Sequence, residues 1–79
     1  SAAAPKGLAS ETAAVVERIL RRATEGGGDI SASECADVAE LSRVSARKYL
    51  EHFVATGRAE VRLRYGGTGR PERRYRWSS

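Results

Sequence analysis

A change of hydrophobic period at Gly57 constrains this chain more than any other feature. Before it, apolar residues recur every three or four positions. After it, Ala59, Val61, Leu63 and Tyr65 alternate with Arg58, Glu60, Arg62 and Arg64. A period near 3.6 reads as helix and a period of two as a half-covered strand. The stretch "GGTGRP" over 66–71 follows, and Pro71 removes a backbone donor, so a second strand resumes after it. There Arg73, Tyr75 and Trp77 share one face, and Glu72, Arg74 and Arg76 the other. A two-stranded ribbon is marginal alone. Its Val61/Leu63/Tyr65 and Tyr75/Trp77 face must therefore pack against the helices upstream, and 79 residues leave room for one small core.

Three helices are expected. The first covers about 11–24, with Ser10 as N-cap, Val16, Ile19, Leu20 and Ala23 inward, and a stop at Gly26-Gly27-Gly28. The second, about 32–38, opens with "SASE", where Ser31 and Glu34 have capping-box spacing. It buries Cys35 and Ala36. The third, about 43–56, is capped by Ser42, turns Ala46, Leu50, Phe53 and Val54 inward, and ends at Gly57 as a left-handed cap. A short helix, a turn and a capped longer helix make a helix-turn-helix. Three helices followed by a two-stranded antiparallel hairpin predict an α+β winged helix-turn-helix over 10–77, with 1–9 a linker or tag remnant and 78–79 a tail.

Charge is sorted along the chain. Residues 1–41 hold four basic and seven acidic side chains, whereas residues 42–79 hold ten and three, so a net −3 faces a net +7. Nine of the ten basic residues in the second part are arginine, whose planar fork suits phosphate and guanine. Such sorting favours a polyanion, and nucleic acid over membrane. No apolar run approaches the ~20 residues needed to span a bilayer, and no signal-peptide pattern opens the chain. The lone Cys35 excludes an internal disulfide and fits a cytoplasmic setting; it reads as a small buried side chain, with a redox sensor as the alternative.

Catalysis is poorly supplied. His52 is the only histidine, and no second histidine or cysteine completes a metal site. "GGTG" lacks the lysine and following helix of a phosphate-binding loop. The expectation is a non-enzymatic domain without metal or cofactor.

Double-stranded DNA is the expected partner. In "SRVSARKY" the third helix offers Ser42, Arg43, Val44, Ser45, Arg47 and Lys48 outside its core face. A helix end of this kind enters the major groove, about 12 Å wide. Arg47 suits a forked contact with guanine, Ser45 serves bases or phosphate, and Arg43 and Lys48 grip the backbone. Val44 either reaches a thymine methyl or completes the core. In the wing, Thr68 and Arg70 stand at the turn tip for a minor groove or phosphate. Arg64, Arg74 and Arg76, with Arg62, line the polar face to track phosphates or to pair with Glu60 and Glu72.

The segments "SRVSARKYLE", "VATGRAEV" and "RYGGTGRPERRYRW" resemble the C-terminal output domain of citrate/malate-type (CitB-like) two-component response regulators, and "PKGL" resembles the junction that precedes it. The resemblance implies bacterial transcription control in response to di- or tricarboxylates, with a receiver domain N-terminal to this segment and a sensor kinase acting on it. It makes the third helix the recognition helix and 66–70 the wing tip. Ser45 and Lys48 stand where the family has threonine and arginine, which leaves the chemistry intact. The turn position where such motifs often carry glycine falls at Glu40, which implies either a strained turn or an alignment shifted by one residue. Paired half-sites would call for a homodimer on DNA. The alternatives are a winged helix of another regulator family, such as GntR-like, or one used for protein or RNA contact. A protein-docking wing should expose an apolar patch, and a DNA-binding one a continuous basic stripe.

Overall fold

The computed structural model describes residues 8–66 and 69–78. Helix α1, Ser10–Thr24, presents Val16 and Leu20 to the core, with Ala13, Ile19 and Ala23 partly covered beside them. Its last turn tightens into a 3-10 turn at Glu25–Gly27, where Gly26 and Gly27 take φ of 77° and 90°. Those angles carry little cost only without a Cβ. Gly28 is required for a different reason, since a Cβ there would sit 2.4 Å from the Ala23 carbonyl oxygen.

The chain then runs through strand β1, Ile30–Ser31, directly into helix α2, Ala32–Ala39. The expected capping box is present: Ser31 Oγ accepts from the Glu34 N–H at 3.1 Å, and Glu34 Oε1 accepts from the Ser31 N–H at 3.0 Å. Glu40 ends α2 with φ 56° and ψ 43°, the left-handed conformation that an L side chain adopts at a cost. Of the two alternatives at Glu40, the backbone angle is the one a strained turn requires. Helix α3, Arg43–Ala55, begins at Ser42, whose Oγ accepts from the Ser45 N–H at 3.1 Å. Gly57, with φ 78°, turns the chain into strand β2, Ala59–Arg64, and strand β3, Glu72–Trp77, returns.

The sheet differs from the expected hairpin. It has three antiparallel strands in the order β1-β3-β2, with β3 in the middle. Val61 and Ile30 flank Tyr75 from either side, and Ser31 pairs with Arg74. A two-residue strand shows no alternation, and Ser31 carries a helix-cap signal at the same time, so β1 left no periodic trace. The arrangement, three helices with a small antiparallel sheet, is compatible with a winged helix.

The core joins Leu20, Leu50, Phe53 and Tyr75, with Cys35, Ala36 and Ala46 allowing α2 and α3 to approach closely. Burial pushes the Cys35 thiol up, the opposite of what a reactive thiolate needs. Strand β3 is fixed at its end: the Trp77 N–H donates to Thr24 Oγ1 at 2.7 Å, and the Trp77 ring meets Phe53 edge-on with centroids 5.5 Å apart.

Two further expectations are corrected. The Val61/Leu63/Tyr65 face is covered only at its near end, because Leu63 is 46% and Tyr65 76% exposed. The ribbon outruns the helical body, and Arg73, opposite Leu63, turns to α3 rather than lying over its partner. Ser10 lies within α1, and the cap position falls to Ala9, which has no side-chain cap bond. The Ala9 N–H donates instead to the hydroxyl of Tyr49 at 2.9 Å. Tyr49 is itself a core residue that the helical pattern of α3 did not include.

Candidate nucleic-acid interface

The capped start of α3 leaves Arg43, Arg47 and Lys48 exposed. Core packing fixes which side of the helix faces out: Ala46, Tyr49, Leu50 and Phe53 are buried, which leaves Arg43, Val44, Arg47 and Lys48 outside. Val44 is 66% exposed, so of its two readings the core one fails. Ser42 is occupied as the cap, and its hydroxyl donates to Ser45 Oγ at 3.0 Å. Ser45 is half-buried.

Arg43 and Arg47 do not stand alone. Together with Arg70 from the wing they line an open cleft of about 410 Å³, whose other walls are Ser31 and Ser33 at the start of α2, and Pro71, Glu72 and Arg73. Residues far apart in sequence thereby converge on one concave, positively charged surface. The N-terminal end of α3 adds its partial positive charge to the same region. Arg64 and Arg70 line a second, shallower recess of about 280 Å³ with Gly66 and Glu72. Thr68, the other residue expected at the wing tip, lies outside the described residues. Among the described residues, Arg43, Arg47, Lys48, Arg64 and Arg70 have no carboxylate within ion-pair distance.

Arg74 and Arg76 are placed differently. The Arg74 side chain is 11% exposed and reaches Asp29 at 2.9 Å, Glu34 at 3.1 Å and Glu72 at 3.1 Å. Partial burial works against its charge, but these three carboxylates outweigh that and hold the guanidinium firmly protonated. Arg74 therefore ties β1 and the start of α2 to β3. Arg76 is half-buried, with its Nε enclosed and without a hydrogen-bond partner among the described residues.

Sequence reasoning missed the group that joins α3 to the wing. Arg73 donates through Nε to Glu51 Oε2 at 2.7 Å and through Nη2 to Oε1 at 3.0 Å. The Tyr75 hydroxyl donates to the same Oε2. Burial pushes the Glu51 carboxyl up, but the bonds from Tyr75 and Arg73 and the nearby Arg47 charge more than offset this and hold it below its ordinary value. The Tyr75 hydroxyl is pushed up by burial and by Glu51. Twenty-two residues separate Glu51 from Arg73, and no local spacing rule connects them.

Comparison with curated proteins finds relatives among bacterial response regulators. The chain is 39% identical over 71 residues to the probable C4-dicarboxylate response regulator DctR of Bacillus subtilis (strain 168), a match that covers 90% of this chain and 30% of that protein. It is 38% identical, with the same coverage, to the transcriptional regulatory protein CitT of the same organism. The DctR of Priestia megaterium is 39% identical, again over 90% of this chain and 30% of the relative. No protein-family model matches, and no solved structure gives a significant match. The chain spans about 30% of the length of the curated relatives it matches. Over that span, it matches the C-terminal domain of citrate/malate-type two-component response regulators.

Proposed function

We propose that residues 10–77 form the sequence-specific DNA-binding output domain of a bacterial two-component transcriptional regulator. The observation that carries this reading is the cleft in which Arg43 and Arg47 of α3 meet Arg70 of the wing, each without an ion-pair partner among the described residues. Helix α3 enters the major groove. Arg47 forks onto a guanine, and Val44, exposed between Arg43 and Arg47, meets a thymine methyl. Arg43 and Lys48 hold phosphates and set the register. Arg70, with Thr68 and Arg64, reaches a minor groove or the flanking phosphates.

The name of the relative DctR, a probable C4-dicarboxylate response regulator, supports the dicarboxylate half of a di- or tricarboxylate signal for the intact protein. In that protein a receiver domain precedes this segment, a sensor kinase phosphorylates it in the cytoplasm, and two copies bind paired half-sites. Among the described residues no helix is long and apolar enough to cross a membrane.

Selection of bound duplexes from a random pool, followed by titration at several salt concentrations, tests the reading. Four phosphate-facing cations, Arg43, Lys48, Arg64 and Arg70, imply a slope of log affinity against log salt of roughly −3.6. An unenriched pool, or an affinity that ignores salt, would overturn the proposal.

One observation favours a second reading of the wing, as a surface for protein contact: Leu63 and Tyr65 are exposed beyond the helical body. Replacing both with serine separates the two. A loss of DNA affinity assigns those side chains to the groove and removes the second reading, whereas unchanged affinity leaves them free for a protein partner.

A further inference from the structure

One arginine of the cleft, Arg73, is held by a carboxylate of α3 that is not itself part of the cleft lining. Glu51 lies one helical turn beyond Arg47, the spacing at which an arginine and a glutamate on a helix ordinarily pair. They are not paired here, and both Glu51 oxygens are turned to the wing instead. Oε2 accepts from Arg73 Nε and the Tyr75 hydroxyl, and Oε1 accepts from Arg73 Nη2. Arg73 lines the cleft beside Arg43, Arg47 and Arg70, yet it alone of the four is clamped. The clamp has two consequences. It leaves Arg47 without a competing partner, and it withholds the fourth guanidinium from whatever fills the cleft.

We propose that Glu51 is a positioning residue for DNA selectivity: by clamping Arg73 against α3, it keeps that arginine off the phosphate backbone and leaves Arg47 free for base edges. This rests on the DNA-binding reading above. Each phosphate contact adds affinity irrespective of sequence, so a released Arg73 strengthens binding to the wrong duplex as much as to the right one. The Tyr75 hydroxyl fixes the carboxylate from the core side while Arg73 fixes it from the cleft.

The test uses the domain with two duplexes, one enriched by selection and one scrambled, at several salt concentrations. Glu51→Gln keeps the shape of the side chain and an acceptor for Tyr75 but gives up the forked charge pair. Its expected effect is a gain: affinity for the scrambled duplex rises roughly threefold to tenfold near 0.1 M salt, and the salt slope steepens by about 0.9. Selectivity falls correspondingly. Arg73→Lys keeps the charge but not the fork, and is expected to change affinity and slope in the same direction should the Gln variant fail to fold. In an Arg73→Ala background, Glu51→Gln should no longer steepen the slope. A purely structural role predicts weaker binding to both duplexes with an unchanged slope, and that result overturns the inference. So does an equal gain with and without Arg73, which makes Glu51 a general negative charge. If the wild-type domain itself fails to prefer the selected duplex, the DNA-binding reading fails first, and the two failures are thereby told apart.

Discussion

The start of α3 and the middle of β3 are both rich in arginine, but the fold treats them in opposite ways. Arg43 and Arg47 project from α3 with no carboxylate within ion-pair distance among the described residues, whereas Arg73 and Arg74 on β3 are held by Glu51 and by Asp29, Glu34 and Glu72. The carboxylates responsible come mostly from distant parts of the chain. An arginine count along the sequence therefore overstates the positive surface left unpaired. What decides is whether the tertiary fold delivers an acid to each guanidinium. The acidic first half of the chain, which carries Asp29 and Glu34, supplies the outer face of β3 and spares the cleft.

The largest effect that sharpens this contrast comes from Arg47. Its replacement by alanine should lower discrimination at one base pair by about 1–3 kcal/mol, read as relaxed preference at that position in a binding selection. Folding stability should stay within about 0.5 kcal/mol, because the side chain is exposed and unpaired. Arg74→Ala should do the reverse. Leaving three part-exposed carboxylates without their shared cation costs about 1–2 kcal/mol of folding stability in a denaturant titration, discounted from the buried-pair range for solvent screening. The salt slope of DNA binding should barely move. Equal slopes lost from both variants would break the comparison.

Acid provides an intermediate test. Glu51 and Glu34 both titrate below their ordinary values, Glu34 chiefly through its bond to the Ser31 N–H and then through Arg74. A carboxyl with a depressed folded-state pKa contributes stability above its unfolded value of about 4.3, and that contribution disappears as pH falls through the folded value. Thermal midpoints should hold from neutrality down to about pH 5 and then decline, and Glu51→Gln should flatten the decline.

Much of the fold was legible because its signals are local. The capping box of Ser31 and Glu34, the Ser42 cap, the Gly57 turn and the helical stripe through Val16 and Leu20 each lie within a few residues of one another. The exposure of Arg43, Arg47 and Lys48 followed from the same helical period. Tertiary pairings were not legible. Nothing near Ile30 announces that it will lie beside Tyr75, and nothing near Arg74 announces Asp29. Likewise, alternation put Leu63 and Tyr65 on an apolar face but held no information on where the helices beneath them end.

Arg70→Ala probes the wing half of the cleft. Its arginine stands at the turn, exposed, beside Arg64 in one recess and Arg43 and Arg47 in the other. A phosphate or minor-groove role predicts weakening shared by selected and scrambled duplexes and a salt slope shallower by about 0.9. Loss of preference at a single base pair would instead place Arg70 with Arg47.

The smallest effect concerns the turn that sets the angle between α2 and α3. Glu40 holds φ at 56°, which costs an L residue about 1–2 kcal/mol, while glycine gives back roughly 0.5–1 kcal/mol of that in unfolded-chain entropy. Glu40→Gly should therefore stabilise the domain by about 0.5–1 kcal/mol, seen as a higher denaturant midpoint at unchanged slope. The exposed carboxylate is near no arginine of the cleft within ion-pair distance, so DNA selectivity should not change. A stabilised variant with altered selectivity would mean that the strained turn itself orients α3, and that the division between a binding helix and a structural strand extends into the loop that precedes the helix.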